Sequence, residues 1–195
     1  MALKEYHLID KETGFPVEIG LFDDEIDTVP EGYVEGWGQE HSMYKPRYDL
    51  EKGVWVEAMP IEEIIEPLRE SKINQLDAEC QAHIKAGFYC GEDFFGFNDI
   101  DQTNFNQQLS LLLLDETQDT VYWKTENNGV KYFKREQFIE ACKAGEVHKR
   151  NSISHYWLLK HYVMTHPFTS VEELNAIDFN FKPNLGTNTN VVTDV

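Results

Sequence analysis

The sequence has no long hydrophobic run. The leucines at positions 111–114 end at once in Asp115 and Glu116, whereas a bilayer-spanning helix needs about 20 apolar residues; no membrane insertion is expected. Cysteine is scarce: Cys80, Cys90 and Cys142 are odd in number and show no CxxC spacing, which argues against a disulfide framework and fits a reducing compartment. Positive charge is also short. Seventeen Lys and Arg against 35 Asp and Glu leave a net charge of −18, a balance that repels a phosphate backbone, so no nucleic-acid partner is expected. The opening MALKEYHLID lacks the apolar core of a signal peptide. A soluble protein made in a cytoplasm is the expectation.

What is present is globular. At 195 residues, with 41% hydrophobic and 13% aromatic content, the chain can hold one ordinary domain and a smaller module. Residues 1–59 read as that small β-rich module. EYHLID and FPVEIGLF flank Thr13-Gly14, and a second pair of runs, Tyr48-Asp49-Leu50 and Val54-Trp55-Val56, flanks Glu51-Lys52-Gly53 as a hairpin. Residues 60–87 read as a helical linker. Ile61, Ile64, Ile65 and Leu68 form one apolar stripe and Ile73, Leu76, Cys80 and Ile84 another. Pro60 suits a first helical turn, Gly87 suits a helix stop, and Pro67 is expected to break or kink the segment near Glu66.

Residues 88–180 read as a mixed domain of helices and β-hairpins. The aromatic-rich stretch 88–97 reads as a strand pair or a strand and turn, with Gly91-Glu92-Asp93 as the turn. Asp99 and Gln102 resemble a capping box opening a helix, and Asn127-Asn128-Gly129 is a strong hairpin turn. Two helices are expected next, over KREQFIEACKAGEV and over SISHYWLLKHYVMTH, then a short one after Pro167 capped by Ser170 and Glu173. Residues 181–195 are a polar, Asn/Thr-rich tail. The expected fold class is α+β.

No catalytic, cofactor-binding or metal-ligating set emerges. Taken as a calcium loop from Asp99, the sequence puts Asn104 where glycine is needed and Ser110 where the bidentate glutamate belongs; the acidic stretch reads as a helix start. His148, His155, His161 and His166 lack the i, i+4 spacing of two zinc ligands on one helical face, and HExxH is absent. There is no GxSxG elbow and no phosphate-cradling glycine motif; EGWGQE lacks the third glycine. Glu92 and Asp93 are adjacent, so their carboxylates diverge rather than oppose as glycoside hydrolysis requires. Trp37, Trp55, Trp123 and Trp157 could be sugar platforms, although aromatics of this kind more often serve core and interface. The expectation is a protein that is not an enzyme and holds no cofactor.

From INQLDAECQAHIKAGF, through YCGEDFFGFNDIDQTNF and VYWKTENNGVKYFKREQF, to SHYWLLKHYVMTHPFTSVEELNAI, residues 73–179 resemble a domain of uncharacterised function found in the C-terminal part of many bacteriophage tail and tail-fibre-assembly-like proteins. GYVEGW and GVWVEA resemble short β modules of phage tail proteins; the tail after Asn180 lies outside the pattern. The family carries no known catalytic residues. The resemblance implies a structural virion component, at a baseplate or fibre attachment point, made in the host bacterial cytoplasm. Its partners would be other tail, baseplate or fibre proteins, or copies of itself. A non-virion assembly factor for tail fibres and a carbohydrate-binding tail-tip module are the alternatives.

Overall fold

The computed structural model describes residues 3–38 and 42–184; the polar tail expected over 181–195 falls outside the described residues from position 185 onward. Among the described residues there are nine short strands and four helices, an α+β fold as the sequence leads one to expect. The chain divides into two compact units, Met1–Pro67 and Leu68–Val195.

In the first unit, β1 (Lys4–Ile9), β2 (Pro16–Phe22) and β3 (Tyr33–Glu35) form an antiparallel sheet in the order β2-β1-β3. The turn between β1 and β2 is held by Asp10, whose carboxylate accepts from the Thr13 amide (2.8 Å), the Glu12 amide (2.9 Å) and the Thr13 hydroxyl (2.9 Å). Those bonds, the Thr13 amide foremost, keep its pKa below the usual carboxylate range. A hairpin of β4 (Pro46–Asp49) and β5 (Val54–Glu57) meets the sheet at Gly14, whose carbonyl accepts from the Tyr48 amide at 2.8 Å. Gly14 has φ +77° and an added Cβ would lie 2.3 Å from the Tyr48 carbonyl oxygen, so only glycine fits. The small core is aromatic. His7 lies under Trp37 at 4.6 Å between ring centroids, and Trp55 meets both edge-on at 5.3 and 5.0 Å.

Helix α1 (Ile61–Lys85) runs unbroken through Pro67, contrary to the expected break near Glu66. A proline removes one backbone donor and crowds the carbonyl four residues back. Here Pro67 is exposed, so water can serve that carbonyl, while Ile64 and Ile65 before it and Lys72 and Leu76 after it are buried. Burial on both sides outweighs the lost bond.

The second unit builds its core from phenylalanine. The hairpin β6 (Phe88–Cys90) and β7 (Asp93–Phe95), helix α2 (Asp99–Leu114), hairpin β8 (Thr120–Thr125) and β9 (Gly129–Lys134), and the long α3 (Arg135–Thr165) surround Phe88, Phe95, Phe97, Phe105, Phe133 and Phe138, all at most 6% exposed. Phe105 stacks on Phe138 at 5.5 Å and Trp123 closes on both. At Gly145, in the interior of α3, an added Cβ would lie 2.9 Å from the Phe88 ring, so the helix can approach β6 only because this position has no side chain. That close packing, with no proline between the two expected helical segments, makes α3 one helix of 31 residues rather than two. The cap of α2 is Asn98, one residue before the expected Asp99: Asn98 accepts from the Ile100 and Asp101 amides, and Asp101 accepts from the Asn98 amide at 3.0 Å. The short α4 (Val171–Asn175) is capped by Ser170, which accepts from the Glu173 amide; the Glu173 carboxylate instead accepts from the Thr169 amide.

The Asn127-Asn128 turn ties the two hairpins together. The Asn127 side chain accepts from the Phe94 amide (2.8 Å) and donates to the Glu92 carbonyl (2.7 Å), while Asn128 donates to the Asp93 carboxylate (2.9 Å). Lys131 completes the joint at 2.6 Å from Asp93. Burial works to raise the Asp93 pKa, but the Lys131 and Asn128 hydrogen bonds outweigh it and hold it below the ordinary value.

Three cations close three helix ends. Arg135 donates to the carbonyls of Leu112, Asp115 (3.0 Å) and Gln118 (3.4 Å) at the end of α2. Arg69 donates to the Val163 and His166 carbonyls at the end of α3. Lys72, 6% exposed, donates to the Asn175 and Ile177 carbonyls (3.2 and 3.1 Å) at the end of α4. Each cation satisfies carbonyls that lack helical partners and faces the negative end of the helix dipole. Replacing Arg135 by alanine is expected to cost about 1.5–3 kcal/mol, the range for hydrogen bonds to a charged group, measured as a lowered urea midpoint. Lysine at that position, unable to reach three carbonyls at once, should restore only part of the loss.

Candidate functional site

Most residues whose type or spacing hinted at chemistry have structural roles. Asp99 pairs with Lys85 at 2.8 Å and Asp101 caps α2, so the acidic stretch is a helix start. Glu92 and Asp93 sit in the joint with the Asn127-Asn128 turn. Trp37 and Trp55 pack with His7, and Trp123 packs with Phe105 and Phe138; Trp157 alone of the four stands 64% exposed.

The histidines divide. His161 is exposed, and His166 lies 3.0 Å from the Glu173 carboxylate while stacking on Tyr162. His148 and His155 gather with His83, a residue that sequence spacing did not single out because it lies on α1, 65 residues before His148. His83 stacks on His148 at 5.0 Å, and His155 hydrogen-bonds the Phe179 carbonyl at 2.8 Å. Burial first, then His148 and His155 alongside, keep His83 below the usual imidazole range. Ser152 lies 2.9 Å from His83 Nδ1, but its hydroxyl donates to the His148 carbonyl at 2.8 Å. The serine proton is thus committed to the helix backbone and the imidazole donates to the serine, which is a tie between α1 and α3 rather than an activated nucleophile. Among the described residues no group of three or more His, Cys, Asp or Glu has the arrangement to hold a metal ion.

Apolar surface in water is the remaining feature. Between α2 and α3 runs a cleft of about 630 Å³, lined by Phe105, Leu109, Ile139 and Cys142 and by three cations, Lys143, Lys149 and Arg150, against one acid, Glu146. Lys149 reaches the Gln102 side chain at 2.8 Å and Lys143 pairs with Glu140 at 3.5 Å. A basic rim is unusual on a chain of net charge −18. At the end of α2, Leu111, Leu113 and Leu114 are 54, 68 and 85% exposed, and Tyr122 and Tyr132 stand out from the β8–β9 hairpin at 63 and 72%. In the first unit, Val17, Ile19 and Leu21 occupy alternate positions of β2 at 63, 63 and 61%. Apolar rows on regular elements mark contact surfaces more often than isolated apolar residues do. The period-two row in FPVEIGLF was visible in the sequence as a strand; which of its faces would lie open was not.

Residues 67–180 match the family described as a domain of unknown function (DUF4376), and residues 3–66 match the phage YomQ N-terminal domain. No curated protein and no solved structure matches the chain. Among the described residues no helix is long and apolar enough to cross a membrane.

Cys142 reports on the cleft between α2 and α3. Burial pushes its thiol pKa up to about 11 from an ordinary 9.0, which lowers the thiolate fraction near pH 8 about 100-fold. Alkylation of Cys142 in the folded chain is expected to be slower than that of a free thiol by about that factor, rising with pH until the thiol ionises. Because the fold resists the thiolate, this group's contribution to stability is full below the ordinary pKa and declines as pH climbs through the raised one. A rate near that of the unfolded chain, read by mass spectrometry of labelled peptides, would refute the assignment.

Proposed function

The chain belongs to the DUF4376 family and its two domain matches make it a phage protein; from that premise we propose that it is a structural component of a phage tail, placed at a baseplate or fibre attachment point. It acts through protein–protein contacts and carries out no chemistry of its own. The observation that carries this reading is the concentration of apolar side chains in water on regular elements, on β2, at the end of α2 and on the β8–β9 hairpin. The likeness of residues 73–179 to C-terminal domains of tail and tail-fibre-assembly-like proteins supports the location. The partners are other tail, baseplate or fibre proteins whose surfaces cover these rows, and the protein resides in the virion after synthesis in the host bacterial cytoplasm.

The test is quantitative mass spectrometry of gradient-purified particles. A fixed ratio of this chain to the major tail protein is the expected result. Abundance in infected lysate with absence from particles would replace the structural reading with that of an assembly factor that leaves before completion.

A further inference from the structure

We propose that β2 is a self-association edge: two copies of the chain pair their β2 strands antiparallel about a two-fold axis at Ile19, joining two three-stranded sheets into one of six. This pairing is independent of the tail role, because it is measured on the purified chain in solution.

Three observations lead to it. First, β2 is an outer strand of its sheet, seven residues long, whereas the other outer strand, β3, has three. Proteins normally protect a long edge with lysine, an inward charge or a cover, since its free amides and carbonyls are a template for another strand. Such devices are confined to the start of β2, where Pro16 lies, the register with β1 shifts at Val17 and β4 comes alongside; from Glu18 to Phe22 the one charged residue, Glu18, lies toward the Tyr33 hydroxyl on the opposite face from Ile19 and Leu21. Second, the apolar row is continuous with a core. Ile19 pairs with His7 of β1, and His7 is the buried ring beneath Trp37. A strand added outside β2 therefore extends a hydrophobic surface that already exists.

Third, the sequence of β2 is complementary to itself in one register. With Ile19 against Ile19 of the second copy, all seven residues of Pro16–Phe22 are paired. Val17 then faces Leu21, Glu18 faces Gly20 and Pro16 faces Phe22, so apolar side chains meet apolar ones and no acid meets an acid. Centring on Glu18 would set that carboxylate against its own copy. Centring on Gly20 would set Glu18 against Phe22 and Val17 against Asp23, and centring on Leu21 would bring Asp23 opposite Ile19 and Asp24 opposite Glu18. The acidic residues flanking the strand thus fix the register as well as the row itself does. The partner is committed by this pattern to a second copy in antiparallel orientation, an isologous contact that closes as a dimer.

Charge sets the salt dependence. Residues 1–67 hold seventeen Asp and Glu against five Lys and Arg, so two such units repel at long range and added salt screens the repulsion. Dimerisation through β2 should strengthen with salt, whereas an acidic partner seated on the basic rim between α2 and α3 would be weakened by it.

The experiment is light scattering on the purified full-length chain, from low micromolar to about 100 µM, the span in which a weak dimer populates. The expected result is a mass rising from 22.7 kDa toward twice that, at lower concentration when salt is raised. Ile19→Lys, on an exposed position, should remain monomeric throughout, with unchanged circular dichroism. The register is tested by two double variants with equal loss of apolar surface. V17K/L21E can form two cross-strand ion pairs, and V17K/L21K opposes like charges; the first should dimerise at least tenfold more tightly. A wild-type chain that stays monomeric at every concentration and salt overturns the proposal, and so does a dimer to which I19K and both double variants are indifferent.

Discussion

The second unit depends on cations placed at the carbonyl ends of helices. A helix leaves its last four carbonyls without partners, and where the end is packed against other elements water cannot serve them all. Arg69, Lys72 and Arg135 supply the missing donors for α3, α4 and α2. Each is itself carried by another helix, Arg69 and Lys72 in the interior of α1 and Arg135 as the first residue of α3. Every one of these bonds therefore joins one helix to the end of another, and the order of elements is tied by these charges as well as by the phenylalanine core between them.

The Asn127-Asn128 turn has an equivalent part for the strands. A two-stranded hairpin is marginal alone in water, and this unit contains two of them in separate sheets. Asparagine offers both donor and acceptor, so one turn can satisfy the backbone of the other hairpin in both senses. The tryptophan and asparagine hairpin behind the resemblance to phage tail domains is thus explained by packing: Trp123 fills the core beside Phe105 and Phe138, and the asparagines fasten β6–β7.

Much of this organisation was legible in the sequence. Period-two runs and glycine turns located the four hairpins, because those signals act within a few residues. Capping pairs placed the starts of α2 and α4 to within a residue, since asparagine and aspartate at neighbouring positions compete for the same role. The failures share a cause. Pro67 is a local stop signal in α1 and a polar stretch a local divide in α3, yet both helices continue. Distant burial, of Leu76 and Lys72 in one and of Gly145 against Phe88 in the other, overrides the local preference. Nothing in the sequence near Arg135 announces that it reaches the end of α2, and His83 joins His148 and His155 only through the fold. The same limit applies to the candidate surfaces: a period-two strand is readable, but whether its apolar side is covered depends on elements far away along the chain.

The use of basic residues inside the fold also bears on how the protein behaves in a crowd. With so few Lys and Arg, each one engaged at a helix terminus is withdrawn from neutralising the acids outside. The solvent-facing layer is correspondingly more anionic than an even distribution of the same residues would make it. Random encounters between copies are then pushed apart over about a Debye length, giving a positive second virial coefficient and good colloidal stability at high local concentration. Only contacts that match in shape and in charge pattern outlast that repulsion, so an interior constraint on helix ends becomes an exterior filter on association.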